Sequence, residues 1–240
     1  MIEEEPRSFF DRGSHAISAR TLGSLVLAYL GGQVLFFQLT LLESSELGLF
    51  LFFLATGACL GAACWITLVG NGWSPIALGL RRVENTWLIS SALLGPIVLL
   101  GTIFLGMLLS PVAQENLANY NSELVGGNGL TPFIFSVVTL VILVPFAEEL
   151  LFRGAIFNYL SERLGDVVGW LGSSVLFALA HSATLSAADG FIDQLVMISV
   201  LSLVGLAALW VRVKTGSLFP AVTLHGSYNA SVLLIQVSLP

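Results

Sequence analysis

Six side chains of types suited to acid–base chemistry lie where such groups are least expected, inside long apolar runs. Glu148 and Glu149 are adjacent, and Arg153 follows four residues after Glu149. His181 stands alone in the next apolar run, and the last run holds His225 with Asn229 one turn later. Ionisable groups are costly in hydrocarbon, so their presence there points to function. A carboxylate can take a proton from water, and imidazole or amide N–H groups can receive developing negative charge.

Helical spacing sorts these residues. Glu149 and Arg153 share a face at i, i+4, with the acid N-terminal to the base in the favourable order, so they can neutralise each other. Glu148 points about 100° away around the helix and has no partner on its own helix, which leaves it free to serve as a general base. His225 and Asn229 project from one face, as do Phe177 and His181. Singly, an intramembrane histidine can be an interhelical hydrogen-bonding residue and no more, and the Glu149–Arg153 pair can be purely structural. Four residues from three helices at compatible positions indicate a working site.

The elements that must position them follow from composition. Of the 240 residues, 56% are hydrophobic and 10% charged, against about 25% charged in a typical globular domain. Mean hydropathy is +0.91. Polar groups could not cover a folded surface of this composition. A soluble globule, a nucleic-acid binder and a disordered chain are all excluded. The expected fold is all-α, a polytopic transmembrane helix bundle and hence an integral multi-pass membrane protein.

A span needs about 20 mostly apolar residues. Candidate spans are 21–42, 47–69, 87–109, 132–163, 167–187, 191–213 and 218–238, seven in all. The first is too long for the apolar region of a cleavable signal peptide. Gly57 and Gly61 form a GxxxG in the second, a packing motif, and Cys59 and Cys64 in the same run are too few for a disulfide framework. The chain then divides into a cytoplasmic tail (1–20), peripheral helices one to three with their loops (21–131) and a catalytic core of helices four to seven (132–240).

Basic residues orient the bundle. Arg7, Arg12, Arg20, Arg81, Arg82, Arg153, Arg163, Arg212 and Lys214 all fall in segments of one side. The opposite loops carry only acids, among them Glu43, Glu46, Glu115, Glu123, Asp189 and Asp193. The positive-inside rule gives a cytoplasmic N-terminus and a C-terminus on the far side. Spans four and five read as a hairpin turning near Gly165, which sets residue 150 opposite 181. Glu148, Glu149 and His181 then share one level, in the cytoplasmic half. His225 meets them only if helices tilt or the hairpin tip projects beyond the membrane.

With these residues in place, a family resemblance is visible. Glu148-Glu149-Leu150-Leu151-Phe152-Arg153 resembles the EExxxR motif of the CPBP family (CAAX proteases and bacteriocin-processing enzymes). Phe177-Ala178-Leu179-Ala180-His181 resembles its FxxxH motif, and His225-Gly226-Ser227-Tyr228-Asn229 its HxxxN motif. The three occur in the family's order, each on an apolar run, across 148–229. The resemblance implies an intramembrane endopeptidase in which Glu148, assisted by His181, activates the attacking water. His225 and Asn229 would stabilise the oxyanion, and Glu149 with Arg153 would hold the helix and tune the site. In eukaryotic members the substrate is a prenylated C-terminal CAAX tail. The partners implied are the bilayer and a membrane-associated peptide or protein, lipidated in those relatives.

Other intramembrane protease signatures are missing: there is no HExxH, no GxSG, and Gly165-Asp166 lacks the preceding glycine of GxGD. A proton-coupled transporter is the alternative in another class, because Glu/His clusters also build proton relays. Neither inverted repeats nor paired broken helices support it. A catalytically silent membrane scaffold is the third reading, against which all six motif positions are intact. Zinc is the one candidate cofactor. Glu148, His181 and His225 are a His₂Glu set by type, yet they come singly from three helices. The expectation is a glutamate mechanism without metal.

The segregation of charge predicts that reporter fusions are cytoplasmic within 70–86 and external within 110–131. Both termini reporting from one side would mean an even span number and would sink the depth argument.

Overall fold

The computed structural model describes residues 17–40, 61, 65, 75–76, 78–109, 134, 137–181 and 190–238. The expected second span with Gly57, Cys59 and Cys64, the loop 110–131 and the tail before Ile17 lie outside these. Among the described residues every regular element is a helix: α1 (Ala19–Thr40), α2 (Asn85–Leu109), α3 (137–164), α4 (Asp166–Ala180), α5 (Phe191–Thr215) and α6 (Leu218–Ser238). Among the described residues these helices overlap the expected spans one and three to seven. α2, α5 and residues Leu218–Gln236 of α6 are long and apolar enough to cross a membrane.

α2 shows what solvent this fold expects. Its buried face is Ser91, Gly95, Leu99, Thr102 and Gly106, while Ile89, Leu93, Ile97, Leu100, Phe104 and Met107 point outward. Small residues inside and large apolar ones outside is the reverse of a soluble helix. It is the arrangement expected when lipid covers the outer face and close backbone approach drives association. A Cβ on Gly95 would stand 2.6 Å from Tyr228 N and 2.7 Å from Leu224 O on α6, so only glycine lets these two helices meet.

α3 is one continuous helix with two wide stretches. Val137–Leu143 and Leu150–Ile156 are π-helical, separated by α-helical Val144–Glu149 and followed by α-helical Phe157–Leu164. Local π-turns recur at functional sites because they re-aim side chains without ending the helix. The two glutamates sit between them. Gly165, at φ 88°, ψ 161°, turns the chain from α3 into α4. That conformation is open to glycine and strained for other residues.

The offset of α3 against α6 brings Glu148 and His225 to one level. Gly154 packs on Leu218 at the start of α6, and α3 runs on for a further stretch of about 15 Å to Leu164. Residues 162–168 are exposed, so the tip projects past the end of α6 and lets Glu148 and His225 share a level. The expected fifth span is shorter than its 167–187 reading. α4 ends at Ala180, and His181 itself leaves the helix at φ −85°, ψ 46°.

The packing of α2 generates a paired test. Gly95→Ala should lower stability by about 1–3 kcal/mol through overpacking. Gly101→Ala, whose Cβ would meet nothing within 4 Å, should change it by no more than about 0.5 kcal/mol. Thermal melts of the two purified variants make the comparison, and equal losses would contradict the close α2–α6 contact.

Candidate active site

Five of the six motif residues, Glu148, Glu149, Arg153, His181 and His225, contact one another across α3, α4 and α6, and Asn229 lies one turn beyond His225 on α6. Glu149 Oε1 forms an ion pair with Arg153 Nη1 at 3.0 Å, with both side chains fully buried. The same oxygen is 3.0 Å from His225 Nδ1 on α6. Arg153 also donates through Nη2 to the Gly205 carbonyl of α5 at 3.0 Å and stacks its guanidinium 4.4 Å from the Phe177 ring centre. One ion pair predicted from i, i+4 spacing therefore ties α3 to α4, α5 and α6.

Glu148 points elsewhere, as its position on the helix requires. Its Oε1 accepts from Tyr29 Oη of α1 at 2.7 Å. Its Oε2 faces two imidazoles, His225 Nε2 at 3.7 Å and His181 Nε2 at 3.9 Å, and makes no hydrogen bond among the described residues. The far nitrogens of both rings are occupied. His181 Nδ1 lies 2.8 Å from the Phe177 carbonyl, and His225 Nδ1 meets the Glu149 carboxylate. Both partners are acceptors, so each Nδ1 carries its hydrogen and each Nε2 is turned towards Glu148. The tautomers are set by the groups behind the rings, as in many sites where a carboxylate or carbonyl orients a working histidine.

Exposure differs within the group. The His181 side chain is 25% exposed, whereas those of Glu148 and His225 are 4% exposed. The walls are aromatic: Phe152 stands edge-on to both Tyr29 and Phe177, and Phe177 is 4.6 Å from the His181 ring and 5.4 Å from that of His225. Charge–dipole interactions are strong in such a dry surround.

Asn229 bonds to the backbone of α3. Its Nδ2 donates to the Leu140 carbonyl of α3 at 2.8 Å. In the i→i+5 register of that stretch, the partner of Leu140 would be the N–H of residue 145, which is proline and has none. The amide of Asn229 thus supplies a donor where Pro145 cannot.

Tyr29 was not among the residues singled out by type and spacing. Its hydroxyl sits in a span without charge, and the only signal was a hydrogen-bonding aromatic in the middle of an apolar run. The donor set was also tested for zinc. Donor atoms around one tetrahedral zinc lie about 3.3 Å apart at the usual bond lengths, closer than the 3.7 and 3.9 Å found here. Among the described residues no three His, Cys, Asp or Glu side chains are arranged to hold a metal ion.

With this geometry established, comparisons with known proteins supply a family. A family model described as Type II CAAX prenyl endopeptidase Rce1-like matches residues 130–231. An uncharacterized 24.3 kDa protein of Escherichia coli is 30% identical, over 72% of this chain and 75% of that protein. The UPF0177 protein YxdF of Lactococcus lactis is 35% identical, over 42% of this chain and 50% of that protein. No solved structure matches. The chain belongs to the CPBP family, with its Rce1-like domain in the C-terminal half, and is a membrane protein.

The two glutamates predict two different failures. Glu148→Gln keeps an acceptor for Tyr29 and should leave stability within about 1 kcal/mol while abolishing turnover. Glu149→Gln strands the buried Arg153, and breaking such a pair costs roughly 3–5 kcal/mol. Melting and activity of the two variants decide it. A stable, inactive Glu149→Gln beside an active Glu148→Gln would reverse the roles.

Proposed function

We propose that this protein is an intramembrane endopeptidase that hydrolyses a peptide bond of a membrane-associated substrate, with Glu148 as general base. The observation that carries the reading is the convergence of one free carboxylate oxygen, Glu148 Oε2, and two imidazole Nε2 atoms from separate helices. Family membership supports the same chemistry. Seven spans, a cytoplasmic N-terminus and a site in the cytoplasmic half belong to this proposal. They are supported by the gathering of Arg81, Arg212 and Lys214 at the end of the bundle where α6 begins.

The step is a water addition. Glu148 Oε2 takes a proton from the water as its oxygen bonds to the scissile carbon, and His181 Nε2 holds that water in line. The carbonyl oxygen becomes an oxyanion beside His225 and Asn229, preorganised donors in a dry setting. His225 fills this role in its protonated form, with Glu149 behind Nδ1 stabilising the positive ring. Collapse of the intermediate breaks the C–N bond, and the proton held by Glu148 passes to the leaving amine. Tyr29 fixes the direction of Glu148 by holding its other oxygen, and is a positioning residue. No step is routed through a metal.

The test is substrate trapping followed by cleavage. Membrane proteins that co-purify with Glu148→Gln but not with the parent are identified, then presented to the parent protein in detergent. Cleavage by the parent and by no Glu148 or His181 variant is the expected result. If no trapped protein is cut, and proton flux in vesicles accompanies solute uptake instead, the protein is a carrier. Cleavage should also survive a strong chelator at substoichiometric metal content. Loss on stripping with recovery on added Zn²⁺ would overturn the metal-free mechanism.

A further inference from the structure

A second group of charges is held at close quarters away from the candidate active site. The segment 78–82 crosses the turn between α5 and α6. Leu218 N donates to the Gly79 carbonyl and Ser217 Oγ to the Arg81 carbonyl, both at 2.8 Å. Gly79 and Gly216 have φ of +87° and +64°, and each lies against a guanidinium from the other segment. A Cβ on Gly79 would stand 2.6 Å from Arg212 Cζ, and one on Gly216 would collide with Arg81 Nη2. Two residues without side chains thus let two arginines lie flat on backbone.

The joint concentrates positive charge, and among the described residues none of Arg81, Arg82, Arg212 and Lys214 forms an ion pair with a carboxylate. Arg212 is 4% exposed, and its Nε has no hydrogen-bond partner among the described residues. Among the described residues the charge that acts on it is that of Arg81, which has the same sign. Arg81, itself exposed, makes only a long 3.4 Å contact with the Thr215 carbonyl. Arg82 and Lys214 are exposed nearby in sequence, and Glu84 accepts from Thr86 at 3.3 Å. A buried guanidinium facing another without a carboxylate is unfavourable unless an anion bridges the two.

The location narrows the anion. α5 ends at Thr215 and α6 begins at Leu218, and both are membrane-spanning by length and composition. Their connecting turn therefore lies at the membrane boundary, where lipid phosphates are concentrated and basic pockets between helices bind headgroups. Guanidinium forks match phosphate oxygens in pairs. We propose that Arg81 and Arg212 form a binding site for a phosphate group, supplied by an anionic lipid headgroup at this boundary. The phosphate bridges the loop 78–82 to the α5–α6 turn and so braces the N-terminal end of α6. His225 is seven residues along that helix, about 10 Å away, so the site is separate from the candidate catalytic groups and does not rest on the protease reading.

The full-length protein in an uncharged detergent is melted with short-chain phosphatidylglycerol, short-chain phosphatidylcholine or inorganic phosphate at equal concentration. Phosphatidylglycerol should raise the melting temperature by about 3–5 °C more than phosphatidylcholine. That difference should vanish in Arg81→Gln and in Arg212→Met, and persist in Arg82→Gln. Arg81 is exposed, so its variant keeps the test decisive if Arg212→Met fails to fold. An equal rise with inorganic phosphate would overturn the lipid assignment in favour of a soluble phosphate. Equal effects of the two lipids, an unchanged effect in Arg81→Gln, or the same loss in Arg82→Gln would overturn the site.

Discussion

Glu149 shares one carboxylate oxygen between Arg153 on its own helix and His225 on another. Most of the core is arranged around that sharing. A fully buried guanidinium must have its charge answered, because desolvation otherwise outweighs any attraction. Arg153 has its charge answered by Glu149 at 3.0 Å, one hydrogen bond through Nη2 to the Gly205 carbonyl and the face of Phe177 beneath its guanidinium, while Nε and Nη1 make no hydrogen bond among the described residues. Each partner lies on a different helix, so placing one side chain orders α3, α4 and α5 at once, and His225 adds α6. The pair's main consequence is geometric: it makes one glutamate a fixed part of the frame and leaves the adjacent one available.

Lipid as solvent explains why the remaining contacts look as they do. Apolar surface gains nothing by turning inward when the surroundings are hydrocarbon. The helices therefore meet through small residues and hydrogen bonds: Gly95 against α6, Gly205 against Ser174, Asn229 on the Leu140 carbonyl and Ser173 on the Phe152 carbonyl. Pro145 belongs to the same logic. It withdraws a backbone donor from α3, and a side chain from α6 supplies one in its place, so a local defect becomes an interhelical bond.

The candidate site combines rigidity with limited exposure. Two rings have their outer nitrogens engaged by acceptors, and Glu148 has its outer oxygen engaged by Tyr29. What remains unengaged points inward, beside His181 at the end of α4. Because α4 stops at Ala180, His181 sits at a helix terminus and not within a span.

Much of this was legible in the sequence, and the boundary of legibility has a physical cause. The Glu149–Arg153 pair, the separation of Glu148 from it, the turn at Gly165 and the alignment of Glu148 with His181 follow from the helix period and from antiparallel pairing, which are local rules. The membrane setting follows from composition, since 10% charged residues cannot solvate a surface. The projection of the hairpin past α6, the early end of α4 and the direction of both imidazoles depended on how whole helices slide against one another. No local period encodes that offset. Tyr29 is the plainest case: it meets Glu148 across 119 positions of sequence. Apolar span residues carry no pairing code, so only tertiary packing could decide which hydroxyl reached which carboxylate.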